Sequence, residues 1–152
     1  MTEVLFYQLD RKPLNDFLPE LLEKTLERGQ RAVVRAGSDE RVEALDTHLW
    51  TFRLDGFLPH GAKADGFAER QPVYLTAKDE NPNSAQVAFF VDGTLPADWS
   101  RVAGFARAVV VFDGNDKSAT DAAREAWSRA KTAGHDVTFW KQSPQGKWEK
   151  QA

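Results

Sequence analysis

The chain has 152 residues, a formal net charge of -3 at pH 7, 41% hydrophobic residues and no cysteine. A chain of this length can bury one sizeable core, so we expect a single domain over residues 1–152. The lack of cysteine excludes disulfides, thiolate zinc sites and a thiol nucleophile, and it agrees with the reducing cytoplasm in which we expect the protein to act. The negative charge argues against a broad electrostatic grip on nucleic acid, and no apolar run is long enough to predict a signal peptide or a membrane span.

Apolar runs and helical periodicities alternate along the chain. In chain order they predict a strand over residues 4–9, a helix over 17–29, a strand over 31–37, a helix over 38–50, strands over 72–77 and 86–93, a short helix over 99–105, a strand over 107–114, a helix over 118–134 and a last strand over 136–142. Pro19 fits only the first turn of the first long helix, and Gly29 fits its end. Ser38 can cap the second helix, whose first turn carries two acids at the positive end of the helix dipole.

This alternation predicts the fold class. Strands that alternate with helices indicate a single-domain α/β fold with three layers, in which helices cover both faces of a mainly parallel, mixed sheet. Such folds often bind nucleotides at the first strand-to-helix turn. Here that turn, LDRKPLND, contains no glycine, and neither the dinucleotide fingerprint nor a phosphate loop occurs elsewhere in the sequence. We therefore expect a nucleotide-binding-like topology without a phosphate loop.

The residue types of catalytic and metal sites form no motif. The three histidines are His48, His60 and His135, and no two of them share a helix face or a short metal-ligand spacing. No nucleophile elbow or related motif occurs. The sequence therefore predicts no catalytic residue, no metal and no cofactor.

The last predicted helix has two different faces. One face gathers small residues that let a helix lie close to a sheet: Ala119, Ala122, Ala123, Ala126, Ala130 and Ala133. On roughly the opposite side Arg124 and Lys131 lie two turns apart, Lys117 falls on the same stripe, and Trp127 stands at the border. Two interpretations are open. The charges and the border tryptophan belong to an ordinary solvated helix, or they form a groove for an extended acidic peptide.

The segment LWTFRLDGFLPHG, residues 49–61, keeps several aromatic side chains although glycine and proline break any helix there. Either these side chains fold inward and cover the sheet, or they form an apolar patch for a second protein. Both interpretations stay open on the residues alone.

The sequence as a whole resembles the chi subunit of bacterial DNA polymerase III, in the segments FYQL, LW followed by FLPHG, VYLT, VAFFVDG, VVVFD and AAREAWSRAKTAG. The similarity covers nearly the whole chain, and none of these segments is a catalytic signature. The resemblance implies a non-catalytic accessory subunit. Such a subunit joins the clamp-loader assembly through the psi subunit, holds the acidic C-terminal tail of single-stranded DNA-binding protein, and meets DNA only indirectly.

The resemblance implies a tail site on the last helix. Arg124 matches the family's arginine, Trp127 stands where the family has an aromatic residue, and Lys131 matches a basic residue. Lys117 is a weaker counterpart, because the family's other basic position nearby falls on Thr120 in this sequence.

The resemblance also implies how the tail lies. Its terminal phenylalanine would place the ring beside Trp127 and Phe112, while Arg124 pairs with the terminal carboxylate. Direct binding of single-stranded DNA by the same indole and cations is the alternative, because base stacking and charge use the same chemistry.

The apolar segment is implied to be the psi contact. The implied contact residues are the tryptophan of LW and the run that follows it: Trp50, Phe57, Leu58, Pro59 and His60. Aromatic side chains often dominate the binding energy of interfaces, so a permanent partner would explain the patch.

Overall fold

A computed structural model describes residues 2–10, 13–51, 61–62, 68–96, 98–143, 145 and 147–151, apart from the side chains of Trp50, Thr51 and Ala68. The elements, in chain order, are β1 (Glu3–Leu9), α1 (Leu14–Glu27), β2 (Ala32–Arg35), α2 (Asp39–Thr51), β3 (Gly61–Ala62), a 3₁₀ turn (Ala68–Arg70), β4 (Val73–Thr76), β5 (Val87–Phe90), a 3₁₀ helix (Trp99–Gly104), β6 (Arg107–Asp113), α3 (Lys117–Thr132), β7 (Asp136–Gln142) and β8 (Trp148–Lys150). The predicted alternation of strands and helices is confirmed. Among the residues described, no helix is both long and apolar enough to cross a membrane.

The strands form one sheet in the order β3-β4-β2-β5-β6-β1-β7-β8. All pairs are parallel except β7 with β8, so the sheet is mainly parallel and mixed, as predicted. Two strands were not predicted. β3 has two residues and β8 has three, and strands this short give no alternating or apolar run that a sequence pattern could detect.

Both faces of the sheet are covered, which explains why its strands are apolar runs rather than alternating ones. Successive β6 residues point to opposite faces, so Val109 and Val111 join the core under α1 and α2, whereas Val110 and Phe112 join the core under α3. Each helix contributes its own apolar stripe to the core on its side. The predicted three-layer arrangement is therefore confirmed.

The start of α1 differs from the prediction. The helix begins at Leu14, after Pro13, so Pro19 lies inside it rather than in its first turn. A proline inside a helix has no N–H for the carbonyl four residues earlier, which here is that of Asn15. The His48 Nε2 atom lies 2.6 Å from this carbonyl oxygen, so a ring N–H from α2 supplies the missing donor. The tertiary contact between the two helices therefore makes the internal proline tolerable.

The predicted caps are confirmed. The Ser38 hydroxyl accepts a hydrogen bond from the Arg41 N–H at 3.2 Å, as an N-cap does at the third helical residue. Gly29 ends α1 with a φ of 75°, and the N–H groups of Gly29 and Gln30 donate to the carbonyls of Leu26 and Thr25. This pair of bonds satisfies carbonyls that the helix end would leave free.

The alanine face of α3 sets how closely that helix approaches the sheet. Ala123, Ala126 and Ala130 are buried and pack on the sheet. The prediction is wrong for Ala122 and Ala133, which are exposed, because the face that meets a twisted sheet is narrower than the stripe of small residues. Because α3 packs closely on the sheet, its cationic side lies beside β7. The candidate site lies between this side of the helix and the strand.

Candidate functional site

A cavity of about 250 Å³ opens between α3 and the paired strands β1 and β7 of the sheet. Its lining combines cations, aromatic rings and amides, and the residues are Gln8, Arg124, Trp127, Phe139, Lys141 and Gln151. The cavity holds a few side-chain-sized groups at most, which suits the end of a peptide better than a nucleotide or a folded surface.

Strand alternation supplies one wall of this cavity. Gln8 and Lys141 are register partners in the parallel β1–β7 pair, so their side chains lie next to each other on one face of the sheet. Phe139 is two residues before Lys141 and therefore points to the same face. The Gln151 N–H donates to the Phe139 carbonyl at 2.7 Å, which fixes the C-terminal end of the chain against β7.

A stack of aromatic rings forms the floor. The Phe139 ring is stacked on Phe6, with centroids 5.9 Å apart and planes 9° apart. It also meets Phe112 edge to face at 5.8 Å. Phe112, which the sequence analysis assigned to the tail contact, is 5% exposed and packs beneath Phe139 rather than lining the cavity. Contacts with Phe6 and Phe112 hold the Phe139 ring in place beneath the cavity.

Trp127 forms the rim on the α3 side. It is half-buried and packs against the core on that face. The Lys131 ammonium nitrogen lies 4.4 Å from the centroid of the indole, within the range of a cation–π contact. The indole Nε1 atom is buried and has no hydrogen-bond partner in the part of the chain that the structure describes. The predicted pairing of an aromatic with a cation on this helix is therefore present in the structure.

Arg124 is the exposed cation of the cavity. Within the described residues it makes no ion pair, although Asp121 is one turn away. In contrast, Arg129 on the same helix pairs with Glu125 at 2.5 Å. The Arg124 guanidinium is thus available to a visiting anion, while that of Arg129 is already engaged.

Lys117 stands apart from the cavity. It is the first residue of α3 and is exposed, two turns before Arg124. The Thr120 hydroxyl, at the position where the family has a basic residue, donates to the Asp116 carbonyl at 3.0 Å. Lys117 can therefore act on an anion only as a distant charge along the helix.

Four lining residues were missed by sequence reasoning: Gln8, Phe139, Lys141 and Gln151. No local signal marks them, since each lies on a strand or at the chain end and only the strand register brings them to α3. The predicted strand over residues 136–142 could have placed Phe139 and Lys141 on one face, but not opposite this helix.

The second candidate surface is largely outside the described residues. This applies to Phe57, Leu58, Pro59 and His60. The backbone of Trp50 lies in α2, but its side chain is also outside the description. The preceding Leu49 is 2% exposed and belongs to the core.

A larger crevice of about 460 Å³ lies at the carboxyl ends of β1, β5 and β6, where parallel α/β folds commonly bind nucleotides. Its rim is acidic, with Asp10, Asp92, Asp113 and Asp116. Asp92 accepts two hydrogen bonds of 3.0 Å from Arg41, and these bonds raise the pKa of the Arg41 guanidinium. A carboxylate-lined crevice repels phosphates, and no group of acids and histidines in the described residues is arranged to hold a metal ion.

Comparison with known proteins places the chain in a family. Residues 1–138 match the family described as DNA polymerase III chi subunit, HolC. Over 92 residues the chain is 30% identical to a protein of Rickettsia prowazekii (strain Madrid E) described as "Probable DNA polymerase III subunit chi". That similarity covers 60% of this chain and 54% of the relative, so the chain spans about half the length of the curated relative that it matches. Because the family match extends over most of its residues, the chain belongs to the family of DNA polymerase III chi subunits.

Proposed function

We propose that this protein is a non-catalytic accessory subunit of DNA polymerase III that connects the clamp-loader assembly, through psi, to the C-terminal tail of single-stranded DNA-binding protein during replication. The observation that carries the proposal is the cavity between α3 and β7, where Arg124, which makes no ion pair with any described residue, lies beside two aromatic rings. Family membership supports the same role.

The cavity suits a peptide that ends in an apolar ring. The ring would lie on Phe139 beside Trp127, and Arg124 would pair with the terminal carboxylate. A hydrogen bond to a charged group contributes roughly 1.5 to 3 kcal/mol, whereas an exposed lysine pair contributes less than about 1 kcal/mol. Arg124 should therefore dominate the binding energy.

Lys131 and Lys117 would act on the acidic residues upstream of the terminal ring. Lys131 covers one face of the indole when no peptide is bound. An acidic side chain can draw this ammonium group toward itself, which uncovers the indole for contact with the peptide. Lys117 lies further along the helix, so its effect should be small and sensitive to salt.

The test is a titration of a fluorescently labelled acidic peptide with a C-terminal phenylalanine. Arg124→Ala should lower its affinity at least tenfold, since roughly 1.5 kcal/mol or more is lost. Arg129→Ala is the matched control, because it removes an equal charge from the same helix but a cation already paired with Glu125. Unchanged peptide binding by Arg124→Ala would refute the assignment.

Direct binding of single-stranded DNA is the second candidate, because an indole flanked by Arg124 and Lys131 could also stack and hold a nucleotide. A gel-shift assay with an oligonucleotide and no partner protein separates the two functions. A strong shift that Trp127→Ala removes would favour DNA binding over the tail.

We further propose that psi binds the apolar segment of residues 49–61, with Trp50, Phe57, Leu58, Pro59 and His60 as the contact. The support is the family membership and the apolar composition of a segment rich in glycine and proline.

A further inference from the structure

We propose that Lys141, on β7, is the second cation that binds the terminal carboxylate of the peptide, across the cavity from Arg124, and that Gln8 and Gln151 complete this wall. The inference rests on the proposed function and adds residues that neither the family resemblance nor the helix pattern assigns.

The placement of Lys141 carries the argument. Arg124 enters the cavity from α3 and Lys141 from β7, so two cations of different elements line one space with aromatic rings as its floor. A peptide that places an apolar ring on this floor would bring its terminal carboxylate within reach of these two side chains. Two cations on opposite walls hold a carboxylate more firmly and orient it better than one, because each can donate to a different oxygen.

Lys141 has one acidic neighbour that faces the same way. Glu149 on β8 is its cross-strand partner in the antiparallel pair. Within the described residues the two side chains form no ion pair within 4.0 Å, so the ammonium group remains available, with a weaker attraction to Glu149 nearby. The other strand neighbour, Gln8, is uncharged.

The two glutamines supply polar groups for the peptide backbone. An amide side chain both donates and accepts, as a peptide unit requires. Gln151 is held in place by its backbone bond to the Phe139 carbonyl, and its Nε2 atom lies 3.4 Å from the Glu149 carbonyl, a long contact that a ligand can replace.

The family match ends at residue 138, before Lys141 and Gln151. The family match therefore assigns no role to Lys141 or Gln151, and their contribution to affinity would add to that of the arginine on α3. That contribution compensates for the basic residue that α3 lacks at Thr120.

The experiment compares two forms of the labelled peptide, one with a free terminal carboxylate and one with a terminal amide, on the full chain. Lys141→Ala should weaken binding of the free acid about three- to fivefold, the range of a partly exposed ion pair. The same substitution should change binding of the amide very little, because the amide lacks the negative charge that Lys141 recognises. Lys150→Ala is the matched control, since its side chain is on the adjacent strand but on the opposite face of the sheet, and it should bind both peptides as the unaltered protein does.

The outcomes separate this inference from the proposed function. If Arg124→Ala weakens binding and Lys141→Ala does not, the second cation is refuted while the tail site stands. If Lys141→Ala weakens both peptides equally, its partner is an upstream acid and the inference is wrong. If the unaltered protein binds neither peptide, the proposed function fails and this inference fails with it. Lys141 is exposed, so the variant should fold, and an unchanged melting temperature confirms that it does.

Discussion

Two arginines on α3 show how much a side chain's neighbours decide its role. Arg124 and Arg129 have the same chemistry, the same helix and similar exposure. Arg129 has Glu125 one turn earlier and pairs with it, in the orientation that helix geometry favours. Arg124 has a threonine in the equivalent place, and within the described residues it forms no ion pair with Asp121 three residues earlier. Neighbours on the preceding turn therefore engage Arg129 and leave Arg124 at the cavity.

The tyrosines give a prediction about pH. Tyr7 and Tyr74 are the two tyrosines of the chain, and burial raises the pKa of both phenols. Tyr7 packs edge to face on Phe17 and on Trp148, at 5.3 and 5.2 Å. The folded state therefore favours the neutral phenols. Their contribution to stability is fully present below the unfolded pKa of about 10 and is lost as the pH rises through the higher pKa of the folded state.

An ultraviolet titration of tyrosinate tests this prediction. In the folded protein the phenols should ionise at a higher pH than in the protein unfolded by urea, and the free energy of unfolding should fall over that interval. The double variant Tyr7→Phe and Tyr74→Phe should lose part of this alkaline decline. If both phenols of the intact folded protein ionise at the same pH as in the unfolded protein, the burial argument is wrong.

At the scale of elements, the turn between β6 and α3 positions the site. The Gly114 N–H donates to the Leu9 carbonyl at 2.7 Å. A Cβ atom at Gly114 would lie 2.6 Å from that carbonyl oxygen and 2.6 Å from the Gln8 side chain. Only glycine allows this approach, and the close contact holds the end of β1 against the start of α3. Gln8 is thereby kept in the wall of the cavity.

Gly114→Ala should therefore destabilise the protein by about 1 to 3 kcal/mol, the usual cost of overpacking, because a backbone oxygen must move. Gly104→Ala is the control, since a Cβ atom there meets nothing within 4 Å. The stability of this variant should stay the same or rise slightly. Urea unfolding monitored by circular dichroism measures both. Equal stability of the two variants would show that the turn can relax. Peptide affinity should fall in Gly114→Ala only.

At the scale of the whole molecule, the proposed function requires two separate binding surfaces. The tail cavity lies on the α3 face of the sheet, whereas α2, which contains Trp50, packs on the other face. Binding of psi beside α2 would leave the tail cavity open to its own partner. Such an adaptor needs no chemistry of its own, only a rigid body that keeps the two surfaces apart.

Two tryptophans allow a reciprocal test of this separation. Trp50→Ala should reduce co-purification with psi and leave affinity for the tail peptide unchanged, because interface tryptophans often contribute about 2 kcal/mol or more. Trp127→Ala should do the reverse. Loss of both interactions in either variant would indicate that the surfaces are coupled or that the residue supports the fold, and undiminished psi binding by Trp50→Ala would place it in the core.

Sequence patterns were sufficient where the physics is local. Apolar runs, helical spacing and caps such as Ser38 and Gly29 depend on neighbours along the chain, and they predicted the order of elements and the covered, mainly parallel sheet. The pairing of Trp127 with cations on one helix could be read in the same way. The start of α1 could not be predicted from the sequence, because the donor that replaces the N–H missing at Pro19 comes from His48 on another helix.

Only the tertiary structure decided which side chains share the cavity. Phe139, Lys141 and Gln8 meet Arg124 because the register of β1 with β7 and the depth of α3 on its alanines bring them together. It also decided that Phe112 is nearly buried and packs against Phe139. Residues far apart in sequence become neighbours through strand pairing and packing. The periodicity within one segment does not predict which distant residues will meet.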